Sequence, residues 1–201
     1  MRKIRSKEDI EKWQRIKQTI IGVVLIFVML SSIIGFGFFS SGGEENNGNG
    51  QIIEYNGYEF SVNENRLWEI QIEDQTFLTN FHPSETEDIV VDFNLGISYI
   101  QGSPLYYVNG NEYAVNVILY NLGRYATRNP QEICLDGEEC EGDLITKDCS
   151  SNVVVFKEPI NASSETIKIY KEENCIFIEA TSAQQVRAAD RLVFKLLGIQ
   201  E

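Results

Sequence analysis

Hydrophobic and polar positions divide the chain into four parts. Residues 1–18 are mostly polar and residues 19–39 are apolar. Residues 40–50 are polar and rich in glycine, and in residues 51–201 short apolar segments alternate with polar ones. The 21 residues of 19–39 carry no charge, and at about 1.5 Å per residue a helix of that length spans roughly 30 Å, the thickness of a bilayer core. The pattern predicts a transmembrane helix over 19–39, because a cleaved signal peptide has a shorter apolar core.

Residues 51–201 are predicted to form one external α+β domain, joined to the membrane helix by the flexible linker 40–50. The pair Asn56-Gly57 and the run Glu73-Asp74-Gln75 each separate two β-prone segments, which predicts two hairpins. The apolar run 153–156 is typical of a central strand buried on both faces. Further strands are predicted at 89–93, 105–108, 167–170 and 175–178, and helices at 111–128 and 181–197. The expected fold is a mainly antiparallel sheet packed by two helices and linked by disulfides.

Charge is distributed unevenly along the chain, which holds 17 basic and 30 acidic side chains and has a net charge of −13. Residues 1–18 hold seven basic and three acidic side chains, whereas residues 40–201 hold ten and 27 and are therefore at −17. By the positive-inside rule, residues 1–18 are a cytoplasmic tail and residues 40–201 lie outside, so the expected location is the cell membrane, crossed once. The bilayer is then the partner of residues 19–39. The acidic outer part excludes nucleic acid as a partner, because phosphate binding requires a basic surface.

All four cysteines lie in the part predicted to be outside the cell: Cys134, Cys140, Cys149 and Cys175. An even number in an oxidising compartment predicts disulfide bonds. Four cysteines allow three pairings, of which we favour Cys134–Cys140, closing a local loop, and Cys149–Cys175, tying the loop before 153–156 to the strand 175–178. The alternative is zinc, but five, eight and 25 residues separate successive cysteines, without the short paired spacings of such sites.

One acidic run and one sequon are candidate sites in the predicted surface loops. The acidic run holds Asp136, Glu138, Glu139, Glu141 and Asp143. It lacks the alternating ligands of an EF-hand, so we interpret it as a solvated loop, with Ca²⁺ binding as the alternative. Asn161 begins an N-glycosylation sequon, which fits an external loop.

The sequence contains few candidates for catalysis. His82 is the single histidine, no serine lies in a nucleophile motif, and no phosphate-binding or metalloprotease motif is present, so no cofactor is expected. We expect His82 to cap a helix or to be exposed. Asp190 falls within the apolar stripe of helix 181–197, where we expect an ion pair with Arg187 or a distant arginine; the alternative is a buried acid with a raised pKa.

These features favour a binding or scaffolding role at the cell surface, with an external protein as a candidate partner, through a sheet edge, the acidic face or an aromatic patch. Four tyrosines are candidates for that patch: Tyr99, Tyr106, Tyr107 and Tyr113. One alternative is a membrane-tethered hydrolase that uses carboxylates, since many acidic residues are present but no pair can be named. Another is a pilin-like subunit. Two features argue against it: the polar segment 40–50 interrupts the helix, and no prepilin glycine precedes residue 19.

Three C-terminal segments carry a resemblance to a known group: NCI at 174–176 with Ile178, AADRL at 188–192 and KLLGI at 195–199. Together with the overall layout, they resemble uncharacterised single-pass membrane proteins of small-genome archaea. The resemblance implies an archaeal cell envelope and brings no activity with it.

Thiol labelling tests the compartment and the orientation together. A membrane-impermeant maleimide added to intact cells should label the natural chain only after external reduction, because all four sulfurs are expected to be oxidised and outside. A Ser6→Cys variant is the matched control, since its new thiol should react only after permeabilisation. Free native sulfhydryls that react only from the cell interior would contradict the prediction.

Overall fold

The computed structural model describes residues 52–140, 142–159 and 166–200. The predicted cytoplasmic tail, membrane span and linker lie outside these residues, as do Glu141 and Asn161. Among the helices in the described ranges, none combines the length and the apolar character needed to cross a membrane. The residues described below all belong to one compact unit, Asn49–Glu201.

Four strands form an antiparallel meander in chain order: β1 (Ile53–Tyr55), β2 (Tyr58–Val62), β3 (Trp68–Ile72) and β4 (Gln75–Thr79). Both predicted hairpins are present, the first turning through Asn56 and Gly57, whose φ angles are 50° and 81°. Such positive angles are what an Asn-Gly turn supplies at low cost. Across the sheet, Phe60 pairs with Ile70 and Ile70 with Phe77, and all three are buried. One face of the meander is therefore apolar.

A second sheet has six strands: β5 (Val90–Asp92), β6 (Leu105–Val108), β7 (Gln131–Glu132), β10 (Asn152–Lys157), β11 (Lys168–Glu172) and β12 (Cys175–Glu179). They lie side by side in the order β5-β11-β12-β10-β6-β7, while β8 (Cys134–Leu135) and β9 (Thr146–Lys147) form a separate parallel pair. Only β11 and β12 are antiparallel neighbours in the six-stranded sheet; its other neighbours are parallel. The α+β class, an antiparallel sheet and two helices are confirmed, and the structure adds this mainly parallel sheet. The central strand predicted at 153–156 is β10, buried on both faces.

Two helices complete the fold: α1 (Glu112–Leu122) and α2 (Gln185–Leu197). The side chain of Asn111 caps α1 by accepting a hydrogen bond from the backbone of Tyr113. Helix α1 ends earlier than predicted, at Leu122, because the chain tightens into a 3₁₀ turn over Gly123–Tyr125. Gly198, at a φ of 75°, ends α2 as expected.

The helices lie between the two sheets. One apolar cluster joins both helices to one face of the six-stranded sheet, and includes Ile118 of α1, Leu192 of α2 and Ile176 of β12. A second cluster joins the meander to Phe194 of α2 and to Ile199, just beyond that helix. Helix α2 is therefore buried on two sides, which places the meander and the six-stranded sheet in separate layers.

The opposite face of the six-stranded sheet is covered by the disulfide-bonded segments. The bonds are Cys134–Cys140 and Cys149–Cys175, with Cα atoms 5.8 Å and 5.0 Å apart, and this is the pairing favoured from the spacing. Cys175 is completely buried in the cluster on this face, and Cys149 packs against that cluster. The second bond thus ties the loop before β10 to β12 at the core.

Gly110 tests how tightly α1 packs on β10. In Gly110→Ala the new Cβ would lie 2.6 Å from Phe156 Cδ2 and 2.9 Å from Val115 Cγ2. Gly57→Ala is the matched control, because its φ is also positive but no atom lies within 4 Å of its new Cβ. In urea denaturation, Gly110→Ala should lower the free energy of unfolding by about 1–3 kcal/mol more than Gly57→Ala, the usual cost of overpacking. Equal losses would show that the two neighbours move aside without cost.

Candidate functional site

Asp190 of α2 holds the start of the segment that joins β4 to β5. Its Oδ2 accepts hydrogen bonds from the backbone nitrogens of Asn80 and Phe81 at 2.8 Å and 2.9 Å. The expected ion pair with Arg187 or a distant arginine is wrong: Arg187 pairs with Asp88 instead, and no ion pair within the described ranges includes Asp190. The alternative of a buried acid holds: the residue is completely buried, and that burial raises the pKa of Asp190 to about 7 although the two N–H groups act in the opposite direction. Its Oδ1 has no hydrogen-bond partner among the described residues.

Arg191 and Gln200 hold the rest of the same segment from within the protein. The guanidinium donates to the backbone oxygen of Ile89 at 3.0 Å and to Gln200 Oε1 at 2.8 Å. Gln200 also donates to the backbone oxygen of Pro83 at 2.7 Å and accepts from the Thr86 hydroxyl at 3.1 Å. Buried backbone oxygens need such partners, so this network is structural.

His82 is a buried cap. Its ring lies among Tyr55, Phe60 and Trp68, with ring centroids 5.7 Å, 5.0 Å and 4.7 Å away. Its Nδ1 accepts from the backbone of Ser84 at 3.3 Å, and this cap begins the 3₁₀ turn Pro83–Glu85. Burial lowers the pKa of His82, and only 5% of the residue is exposed. A ring in that position does not reach a substrate, so the structure does not favour catalysis through His82.

One cleft opens at the carboxyl ends of the parallel strands, where α/β sheets commonly bind ligands. It encloses about 570 Å³ and is lined by Asn109, Gly110, Asn111, Glu138, Phe156, Lys157, Glu158, Ser182 and Gln185. Several of its polar groups are paired with one another: the backbone nitrogen of Asn111 donates to Gln185 Oε1 at 2.7 Å, and Lys157 Nζ lies 3.9 Å from Glu138 Oε1. Both glutamates are exposed, without the apolar burial that tunes a catalytic acid. The carboxylate-hydrolase alternative therefore gains no support from this cleft.

The acidic run 136–143 supplies Glu138 to that ion pair. Among the described residues, which exclude Glu141, no three His, Cys, Asp or Glu side chains gather into a group that could hold a metal ion. The Ca²⁺ alternative for Asp136, Glu138, Glu139 and Asp143 is therefore not supported by the described part of this loop.

A groove between β4 and α1 has a different character. We call it the tyrosine groove; it encloses about 380 Å³ and is lined by Asn65, Leu67, Leu78, Asn80, Tyr113, Asn116, Val117 and Tyr120. Tyr113 is 71% exposed and Tyr120 is 50% exposed. None of the eight described residues that line the groove is charged, and within the described ranges the side chains of Asn65 and Asn116 make no hydrogen bond. The groove therefore offers open aromatic rings and amides.

Only one of the four candidate tyrosines lies in this groove. Tyr106 is buried beneath the disulfide-bonded segments, while Tyr107 is partly buried on the helix side of the sheet. Tyr99 donates a hydrogen bond to the backbone oxygen of Asn174, and burial raises the pKa of Tyr99 to about 12. Tyr113 is in the groove, and its companion is Tyr120, which sequence reasoning missed although it lies seven residues along the same helix.

Comparison with protein-family models, with curated proteins and with solved structures gives no match to this chain.

The buried carboxyl of Asp190 gives stability a definite dependence on pH. Because burial raises the pKa of Asp190 from 3.8 to about 7, the folded state binds the proton more tightly, and the stability so gained is lost as the pH rises from about 4 to 7. Asp190→Asn should therefore gain stability relative to the natural protein over this range, by up to about 1.4 kcal/mol per pH unit. The measurement is urea denaturation at several pH values. The lowered pKa of His82 acts in the opposite direction, but it is common to both proteins and cancels in the difference.

The matched control is Asp88→Asn, which removes an exposed carboxylate from the same segment. Its stability should follow the natural protein across the range. Parallel pH profiles for Asp190→Asn and the natural protein would show that the pKa of Asp190 is the same in the folded and unfolded states.

Proposed function

We propose that this chain is a single-pass membrane protein whose external domain binds a component of the cell surface through the tyrosine groove. The apolar segment 19–39 anchors the protein, and the basic residues before it keep residues 1–18 in the cytoplasm. The two disulfide bonds support an oxidising compartment for the domain. The binding role rests on the groove.

The observation that carries this proposal is the contrast between the groove and the rest of the domain. Residues 40–201 hold 27 acidic side chains, yet the eight residues that line the groove include none. Both tyrosines leave at least half of their area exposed to solvent, although apolar side chains lie beside them in the groove. Exposed aromatic area beside an apolar floor is typical of binding surfaces, because it is released from water when a partner covers it.

The tyrosine groove is a better candidate than the cleft at the strand ends. In the cleft, the backbone nitrogen of Asn111 already donates to the side chain of Gln185, and Lys157 already pairs with Glu138. In the groove, the amides of Asn65 and Asn116 have no partner within the described residues. Both amides are exposed and can therefore bind a ligand without first breaking a hydrogen bond within the protein.

Binding to the cell envelope tests the proposal. The full chain in lipid nanodiscs should co-sediment with envelope fragments of the organism that makes it. The double variant Tyr113→Ala/Tyr120→Ala should bind at least about tenfold more weakly, since exposed aromatic anchors carry much of the energy of such contacts. Its free energy of unfolding should change little, because both rings are largely exposed.

The matched controls remove equally exposed apolar side chains outside the groove. Val90 is 72% exposed and Ile145 is 57% exposed, so Val90→Ala and Ile145→Ala should bind as the natural chain does. The proposal fails if the natural chain does not co-sediment, or if the groove variant and the control variants lose binding equally.

A further inference from the structure

The chemistry of the tyrosine groove indicates which class of ligand it takes, and this inference rests on the proposed function. Each asparagine amide offers both donors and an acceptor, and each tyrosine ring offers an apolar face with a hydroxyl at its edge. Such a surface suits a neutral ligand that has apolar faces and many hydroxyl groups. The residues that line the groove carry no charge themselves, so the surface they form is not built for an ionic ligand.

Strand addition by an extended peptide is blocked along β4. The amide of Asn121 accepts from the backbone nitrogen of Leu78 at 3.0 Å and donates to its backbone oxygen at 2.8 Å. Two residues further on, the backbone nitrogen of Asn80 donates to Asp190. Where this edge lines the groove, at Leu78 and Asn80, these backbone groups are thus occupied from within the protein, so an added strand could not pair there. Recognition in the groove must therefore depend on side chains.

The two tyrosines are spaced along one face of α1. Tyr120 lies seven positions after Tyr113, which corresponds to about 10 Å along a helix, and Asn116 lies between them on the same face. The guanidinium of Arg124 stands over the ring of Tyr120, 5.4 Å from its centroid, and the same side chain donates to the backbone oxygen of Tyr120 at 3.2 Å. This contact holds the ring at one end of the groove. Two rings with an amide between them suit a ligand built of repeated rings.

We infer that the tyrosine groove binds a neutral oligosaccharide. The apolar C–H faces of successive sugar rings would stack on Tyr113 and Tyr120, and their hydroxyl groups would exchange hydrogen bonds with the amides of Asn65 and Asn116. Anionic glycans are disfavoured because residues 40–201 carry a charge of −17. The ligand class thus follows from ring spacing, amide chemistry and charge together.

A glycan array tests the inference. The full chain is used in lipid nanodiscs, since a sugar-headed detergent would compete for the groove. At least one neutral oligosaccharide should bind, whereas uronate-containing and sulfated polymers should not. Tyr113→Ala and Tyr120→Ala should each weaken binding about tenfold, and Asn116→Ala about threefold. Tyr120→Phe, which keeps the ring, should bind within about threefold of the natural chain.

Periodate separates failure of this inference from failure of the proposed function. Oxidation of envelope fragments with periodate destroys sugar diols and should abolish the tyrosine-dependent co-sedimentation. If that co-sedimentation survives periodate and instead disappears after protease treatment, the partner is a protein, and the oligosaccharide inference is overturned while the binding role stands. Binding of no neutral saccharide on the array, or binding that is unchanged in both tyrosine variants, also overturns the inference. Absence of any tyrosine-dependent binding to envelope overturns the proposed function itself.

Discussion

The burial of α2 on two sides is the constraint on which the rest of the structure depends. Nine of its 13 residues are buried, although a surface helix normally buries one stripe. Its polar side chains Arg187, Asp190 and Arg191 therefore turn toward the backbone of the segment between β4 and β5. An unpartnered buried backbone group costs about 1–3 kcal/mol. These contacts, together with the apolar packing around Phe194, therefore fix the path of the segment that runs from β4 in one sheet to β5 in the other.

The sequence alone predicts those features of the fold that depend on residues close together in the chain. The Asn56-Gly57 turn, the end of α2 at Gly198 and strand β10 follow from turn chemistry, a left-handed cap and an apolar run. The pairing of β10 with β6 and β12 on either side cannot be read in this way, because it joins segments that are far apart in sequence. For the same reason the partners of Asp190, which lie about 110 residues earlier, were not foreseen. The disulfides were predictable because few cysteines leave few pairings.

The candidate site shows the same division between local and distant information. One wall of the tyrosine groove, with Tyr113, Asn116 and Tyr120, follows from helical spacing once 111–128 is predicted to be a helix. The other wall is built from Leu67 and Leu78 of the meander, whose position beside α1 depends on tertiary packing. The adjacent tyrosines at 106 and 107 were poor candidates even from sequence, because neighbours on a strand point to opposite faces.

The contacts that assemble the fold also shape the groove before any ligand arrives. The side chain of Asn121, completely buried, donates to the backbone oxygens of Leu78 at 2.8 Å and Val117 at 2.9 Å. These two residues belong to opposite walls of the groove, so one amide sets their separation. A groove held in this way would lose little conformational freedom if the proposed ligand bound, and more of the interaction energy would remain as affinity. Asn121 therefore has two roles: it occupies the backbone groups of Leu78 that another strand would use, and it links the two walls of the groove.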